Sequence, residues 1–342
     1  MSIYRIFNAQ DDIIRDDIET VTQPVWSENL NPLSQSVAGV GFFTSSVQSG
    51  SSGEYYVSVY QRNPSTESET AEVQFAIAYG NILGSGSAGD ATVVGGNIND
   101  TPSRAIYSQY KNILLSPDDS GFTFGTGTAA VTPNDCYFVT VARSRYKERI
   151  DPGNWELHIS GGVGRLKLID DSGQGAAPNV GRAGRVYNIV SGSGLLTASN
   201  SPVYGLFYPD LGIYVFNARA LDASASLATN TGSAVDAGNH FKLFRHISAS
   251  SYFAARNEQE IKSTSYFVRI KSRDFNYTNN PTFVTGSVGA LRFSDMLTDS
   301  KTYITTIGLY DDNEQLLAVA KLSRPLLKTF SREALVKVKL DY

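Results

Sequence analysis

The chain has 342 residues, of which 41% are apolar and 18% charged, and carries a net charge of −4. That length holds two domains, or one large β domain with insertions, and so apolar a composition argues against global disorder. The acidic balance and the lack of a long basic block count against nucleic acid as a partner, because phosphate affinity needs clustered Lys and Arg.

Thirty Gly, 19 Tyr and 17 Phe against two Met and two Trp favour short strands, many turns and little helix. A single cysteine, Cys136, rules out an intramolecular disulfide, and its place in the apolar run DCYFVTVA reads as a buried small hydrophobe. The opening stretch MSIYRIFNAQDDIIRDD carries acids and no long apolar run, so it does not read as a signal peptide. No stretch approaches the length of a transmembrane helix. The expectation is a protein made in a cytoplasm that leaves it by lysis or inside a larger particle.

In chain order, residues 1–50 read as an N-terminal arm wrapping a neighbour, or else as an edge strand with loops; Pro24 and Pro32 break any long element. Residues 51–217 read as a β-rich core domain. EYYVSVYQRN from Glu54 and AEVQFAIAYGN from Ala71 both alternate, and the polar PSTESET between them makes an antiparallel pair. Thr101 as N-cap, Pro102 as first helical residue and the spacing of Ile106, Tyr110, Ile113 and Leu114 predict a helix. The β pattern then returns in GFTFGTG, DCYFVTVARSRY, NWELHIS, VGRLKLID and RVYNIVSG, followed by two aromatic strands joined at Pro209–Gly212.

Residues 218–342 read as a second β-rich region. Its first part, to about residue 262, is rich in Ala and Ser and has room for one or two short helices. From Thr302, TYITTIGLY, DDNE and QLLAVAKLS spell a hairpin with a four-residue loop. In the final run Ala334, Val336, Val338, Leu340 and Tyr342 share one face, and Leu335, Lys337, Lys339 and Asp341 the other. A strand in this position is tied into a sheet, its own or a neighbour's.

Chemistry-bearing motifs are weak. Gly84, Gly86 and Gly89 spell GxGxxG, but the DATVVGG that follows is a poor helix, so the pattern reads as a turn. His158, His240 and His246 lack metal-helix spacing, and no GxSxG elbow occurs. Asp16–Asp17, Asp118–Asp119, Asp170–Asp171 and Asp311–Asp312 offer carboxylate pairs, which serve glycoside hydrolysis in some enzymes and stabilise turns far more often. The basic run RSRYKER, Arg143 to Arg149, reads as a solvated or protein-contact loop ahead of a nucleic-acid patch. Tyr55, Tyr56, Tyr60, Tyr204, Phe207, Tyr208, Tyr214 and Phe216 put aromatics on both strand faces, which suits stacking on sugars, a subunit interface, or strands sandwiched between two layers.

The run YITTIGLYDDNEQLLAVAKLSRPLLKTFSREALVKVKLDY resembles the C-terminal segment of structural proteins from tailed, contractile bacteriophages, of the cyanophage and jumbo-phage kind. DPGNWELHI, LIDDS, GRVYNIVSG and YGLFYPDLGIYVFN resemble the middle region of the same group, so the likeness spans residues 54–342. It implies a non-enzymatic virion part of the baseplate or tail, with a neck or capsid-associated part, or a receptor- or glycan-binding module, as the alternatives. The expected fold is mainly β, antiparallel and sandwich-like, with one or two short helices. The expected partners are other virion proteins and further copies of the chain, without nucleic acid or membrane; no catalytic residue, cofactor or metal is expected. The expected assembly interface comprises Tyr303, Ile307, Leu309, Leu316, Val336, Val338, Leu340 and Tyr342.

Overall fold

The computed structural model describes residues 4–15, 18–36, 38–44, 56–87, 101–161, 164–174, 178–192, 202–232, 238–276, 281–286 and 288–341. The elements are β1 (Ile13–Arg15), β2 (Glu19–Pro24), β3 (Phe43–Thr44), β4 (Tyr56–Tyr60), β5 (Val73–Asn81), α1 (Pro102–Leu114), β6 (Asp135–Val141), β7 (Arg149–Gly161), β8 (Gly164–Asp170), β9 (Asn179–Gly181) and β10 (Gly184–Ser191). They continue with β11 (Gly205–Tyr208), β12 (Ile213–Asn217), α2 (Ala218–Ala225), α3 (Asn239–Ser250), β13 (Phe253–Ile261), β14 (Ser263–Ile270), β15 (Val284–Thr285), β16 (Ala290–Leu291), β17 (Thr302–Tyr310), β18 (Leu316–Lys328) and β19 (Ala334–Asp341). The protein is mainly β, with antiparallel curled sheets and short helices, as its composition predicts.

Two compact units form, and neither follows the expected boundaries at 50/51 and 217/218. One joins Met1–Thr20 to Glu260–Tyr342; the other is Val21–Gln259. No break falls after residue 217, because β12 runs directly into α2: the Asn217 side chain caps the helix, accepting from the backbone N–H of Arg219 (3.1 Å) and Ala220 (3.3 Å).

The larger unit is built on one long sheet in the order β2-β13-β7-β8-β10-β11-β12-β6-β5-β4-β3, with β9 on the side of β10. Its strands are large on both faces because both faces are covered. Along β6, Tyr137, Val139 and Val141 enter the main core, while Cys136 and Phe138 enter a second cluster with α1. Along β12, Tyr214 and Phe216 point to the first and Ile213 and Val215 to the second. This alternation with two apolar sides is what a two-sided sheet demands. The sheet also curls on itself. Phe75 of β5 and Phe253 of β13 have six strands between them in the sheet, yet their rings lie 5.3 Å apart. The concave side is filled by α2 and α3, which supply Leu221, Ala225, Leu243 and Ile247 to the main core.

Helix α1 lies against the opposite face, and Tyr110 stacks flat on Phe138 with ring centroids 4.1 Å apart. Such closeness needs a strand without a side chain beneath it. A Cβ at Gly80 would sit 2.8 Å from the Phe138 ring and 2.9 Å from the Tyr107 backbone nitrogen. Thr101 precedes the helix as expected, but its hydroxyl donates to the Gly84 carbonyl (2.7 Å) rather than capping α1.

Residues 21–44 correct the reading of a free arm. Val25, Trp26, Leu33, Val40 and Phe42 are buried in the main core. Trp26 sits 4.7 Å from Phe253 and 5.8 Å from Phe75, and its indole N–H donates to the Phe253 carbonyl (2.6 Å). A two-ring side chain gains more from burial than the segment's prolines cost in regular structure.

The smaller unit contains the sheet β1-β14-β19 and the hairpins β15-β16 and β17-β18. Strand β19 pairs with β14 along its whole length, from Ser263↔Asp341 to Ile270↔Ala334. The final strand therefore completes a sheet of its own chain. Its exposure alternates as its sequence does, with Val338 buried and Lys337 and Lys339 in solvent. The β17-β18 hairpin turns more tightly than the expected four-residue loop. Asp311 N–H donates to Gln315 O (3.0 Å) and Glu314 N–H to Asp311 O (3.1 Å), which leaves three residues outside the last bonded pair. Glu314 takes φ 61°, the left-handed position that closes such a turn, and Asp311 Oδ1 braces it by accepting from the N–H of Asn313 and Gln315. Pro325 sits inside β18 because Leu322–Pro325 bulge opposite Thr305, where no ladder N–H is required.

Candidate assembly surface

The eight residues expected to bind a neighbour divide by strand face. Ile307, Leu309 and Val338 are buried together as the core of the smaller unit, and Val336 and Leu340 pack half-buried against them with Phe7, Tyr266 and Ala318. These five hold the hairpin to its own sheet and are withdrawn from the interface. Tyr303 and Leu316 are exposed, and Tyr342 lies outside the described residues. The physical reason is that an amphipathic hairpin needs one apolar face for its own core, and alternation in sequence does not label which face that is.

The outer face is nonetheless apolar. Leu316, Leu317 and Val319 are 53%, 69% and 57% exposed, and Tyr310 is exposed beside them. Leu316 and Leu317 are both outside because the register shifts between Leu309 and Tyr310. The Tyr310 ring and Leu316 close over Gly308, where a Cβ would meet them at 2.8 and 3.2 Å. The exposed Tyr4 meets Tyr310 edge-on at 5.0 Å. Neither Leu317 nor Val319 stood out in the sequence, although the run QLLAVA, apolar on both faces, carries the signal. Charge is segregated along the hairpin: Asp311, Asp312 and Glu314 occupy the tip, and Lys321 and Arg324 are exposed farther down β18.

Lys328 at the base of the hairpin is fully buried, and nothing in its sequence context marks it. Its ammonium donates to Ser272 O (2.7 Å), Asn276 Oδ1 (3.0 Å) and Thr329 O (2.8 Å), so each proton has an acceptor. Burial lowers its pKa. The residue ties the loop after β14 to the hairpin that presents the apolar face.

The remaining candidates are structural in their contacts. The arginines of the basic run are engaged internally, while Lys147 is exposed: Arg145 pairs with Glu72 (2.6 Å), Arg149 with Glu258 (2.7 Å), and Arg143 lies 4.6 Å over the Tyr146 ring. Asp170 accepts from the N–H of Gly153 and Ser172, and Asp171 from the backbone and side chain of Asn188. Asp119 accepts from Ser116 N–H; Asp16 and Asp17 lie outside the described residues. His158 stacks on Tyr252 at 4.1 Å with its Nε2 2.5 Å from Glu156, and His246 contacts the Ser160 carbonyl. Gly84 and Gly86 take φ 79° and 82° in a turn, and Gly89 lies outside the described residues. Among the described residues no group of three or more His, Cys, Asp or Glu is arranged to hold a metal ion, and no helix is long and apolar enough to cross a membrane.

Of the aromatics weighed for sugar stacking, Tyr204, Phe207, Tyr208, Tyr214 and Phe216 are buried; Tyr56 is exposed, Tyr60 half-buried, and Tyr55 outside the described residues. A groove of about 520 Å³ runs past Val73, Thr140, Val141, Tyr146 and Leu211. Its charged rim is already engaged, Arg143 over Tyr146 and Asp210 with Arg185 (3.1 Å). No protein-family model, curated protein or solved structure matches the chain.

Proposed function

We propose that the chain is a structural virion subunit of a tailed, contractile bacteriophage, a multi-copy component of the baseplate or tail that works by holding its neighbours. The virion part of this reading rests on the resemblance of the C-terminal and middle segments. The observation that carries its assembly part is the exposed apolar face of the β17-β18 hairpin, Tyr310, Leu316, Leu317 and Val319, set on a unit whose own core is already closed by Ile307, Leu309 and Val338. A soluble subunit leaves a contiguous apolar face in water when a partner covers it in the finished assembly. The engaged arginines of the basic run and the braced Asp170–Asp171 doublet support a structural role. The buried aromatics disfavour glycan stacking by those residues.

The test is to place the chain in a map of purified particles and to build particles carrying Leu317→Asp with Val319→Asp. Both substitutions fall on exposed positions, so the subunit folds while the particles fail to assemble or lose the subunit. Normal particles from that variant, or particles without the chain, overturn the proposal. Deleting β19 is not a clean test, because β19 supports the subunit's own sheet.

A further inference from the structure

We propose that β18 is a homotypic docking strand: a second copy of this chain lays its own β18 antiparallel against it, about a two-fold axis at Val319. This rests on the assembly reading and names its partner. Strand β18 has β17 on one side and, among the described residues, no strand on the other. Its stretch Leu316–Ala320 contains no charge, Gly or Pro, and three of its five side chains are exposed. An edge of that kind is a template for another strand. Both ends of the template are marked. The turn at Asp311–Glu314 ends it on one side, and the bulge carrying Pro325, which has no N–H to offer, ends it on the other.

The occupant and its register follow from burial and charge. In a two-fold antiparallel pair centred on Val319, Ala318 faces the partner's Ala320, and both positions are half-buried toward their own cores. Leu317 faces the partner's Lys321, and both are exposed, so the Lys stem covers the leucine. Across Leu317–Lys321 each inner position meets an inner position, and the two hairpins form one four-stranded sheet with a common inner face. A slip of one residue sets inner against outer. The same axis carries the acidic tip, Asp311, Asp312 and Glu314, toward the partner's Arg324 just beyond the paired stretch. A parallel arrangement stacks the acidic tips on each other. Acid and base segregated along one strand complement a reversed copy of that strand.

The test uses cysteine placement in the full chain. Cys136 is completely buried and does not compete. At the axis, the two side chains of Val319→Cys face each other with Cβ atoms about 5 Å apart. Those of Leu317→Cys lie four residues out of step, about 14 Å apart. Under mild oxidation Val319→Cys gives a disulfide-linked dimer roughly tenfold faster than Leu317→Cys, a position just as exposed, because a bridge forms only at short separation. By sedimentation the unmodified chain dimerises with rising concentration. Glu314→Arg and Arg324→Glu each weaken the dimer, and the double exchange restores it.

Equal crosslinking of the two cysteine variants, or a chain that stays monomeric at its highest soluble concentration, overturns the proposal; capture of a different virion protein by the same face does so too. A dimer in solution from a chain missing in purified particles supports the pairing and sinks the virion reading alone. Particles that hold the chain without the Val319→Cys crosslink sink the pairing alone.

Discussion

Replacing Trp26 tests whether residues 21–44 are core or arm. Trp26→Ala removes a fully buried two-ring side chain packed on Phe75 and Phe253. Large aromatic truncations of this kind cost about 3–5 kcal/mol in transfer and cavity energy. The lost indole hydrogen bond adds only about 1 kcal/mol, at the net value of such bonds. No orphan is left, because the Phe253 carbonyl also accepts from Leu33 N–H (2.9 Å). Trp26→Phe, which keeps one ring, costs about 1–2 kcal/mol on the same scale. For a unit of this size the alanine change lowers the melting temperature by roughly 10 °C. Urea unfolding followed by far-ultraviolet circular dichroism measures this without relying on indole emission, since Trp155 is the only other tryptophan. A cost below about 1 kcal/mol, the level of an ordinary surface change, refutes the placement of this segment in the core.

Three further outcomes follow from local geometry. Gly80→Ala forces its Cβ into the Phe138 ring and the α1 backbone and destabilises the larger unit by about 1–3 kcal/mol, read from thermal melts; no change means that α1 does not press on β5. Glu314→Gly relieves the left-handed strain at the hairpin tip and stabilises the smaller unit by up to about 1 kcal/mol, seen as slower hydrogen exchange in β17 and β18. Asp135 is fully buried with neither carboxylate oxygen receiving a hydrogen bond, and burial raises its pKa against the partial relief of Arg219 at 3.2 Å. With a raised folded pKa the native state holds the proton longer than the unfolded chain does. This group's contribution therefore falls as pH rises from 3.8 through the folded value and stays low above it. Asp135→Asn accordingly stabilises the protein at pH 7 and gives no gain near pH 3; an equal effect at both pH values rules out the buried charge as the cause.

What was legible in the sequence was local. Thr101-Pro102 and the spacing of Ile106, Tyr110 and Leu114 announce α1, and the alternation from Ala334 onward announces β19, because each signal lies within one element. The hairpin was legible too, from two apolar runs around DDNE, although its loop is shorter by one residue because Glu314 accepts a positive φ. What stayed hidden depends on distant partners. The burial of Trp26 needs Phe253, more than two hundred residues away, and the boundary of the smaller unit is set by β14 pairing with β19. The inward turn of Ile307, Leu309 and Val338 hides for the same reason: the face that β17 buries is chosen by β19, which the hairpin's own residues do not specify.

The split of the smaller unit across the chain orders events during synthesis. All of Val21–Gln259 is made before β14 and emerges ahead of it, so the larger unit can fold while the rest is still being made. Strand β14 then waits for β19, and the hairpin core, which needs Val338, closes only when that strand arrives. The exposed apolar face of the hairpin is thus firmly presented only by chains whose larger unit has already had time to fold. Under the proposed assembly role, translation order acts as a timer that keeps half-made subunits from docking.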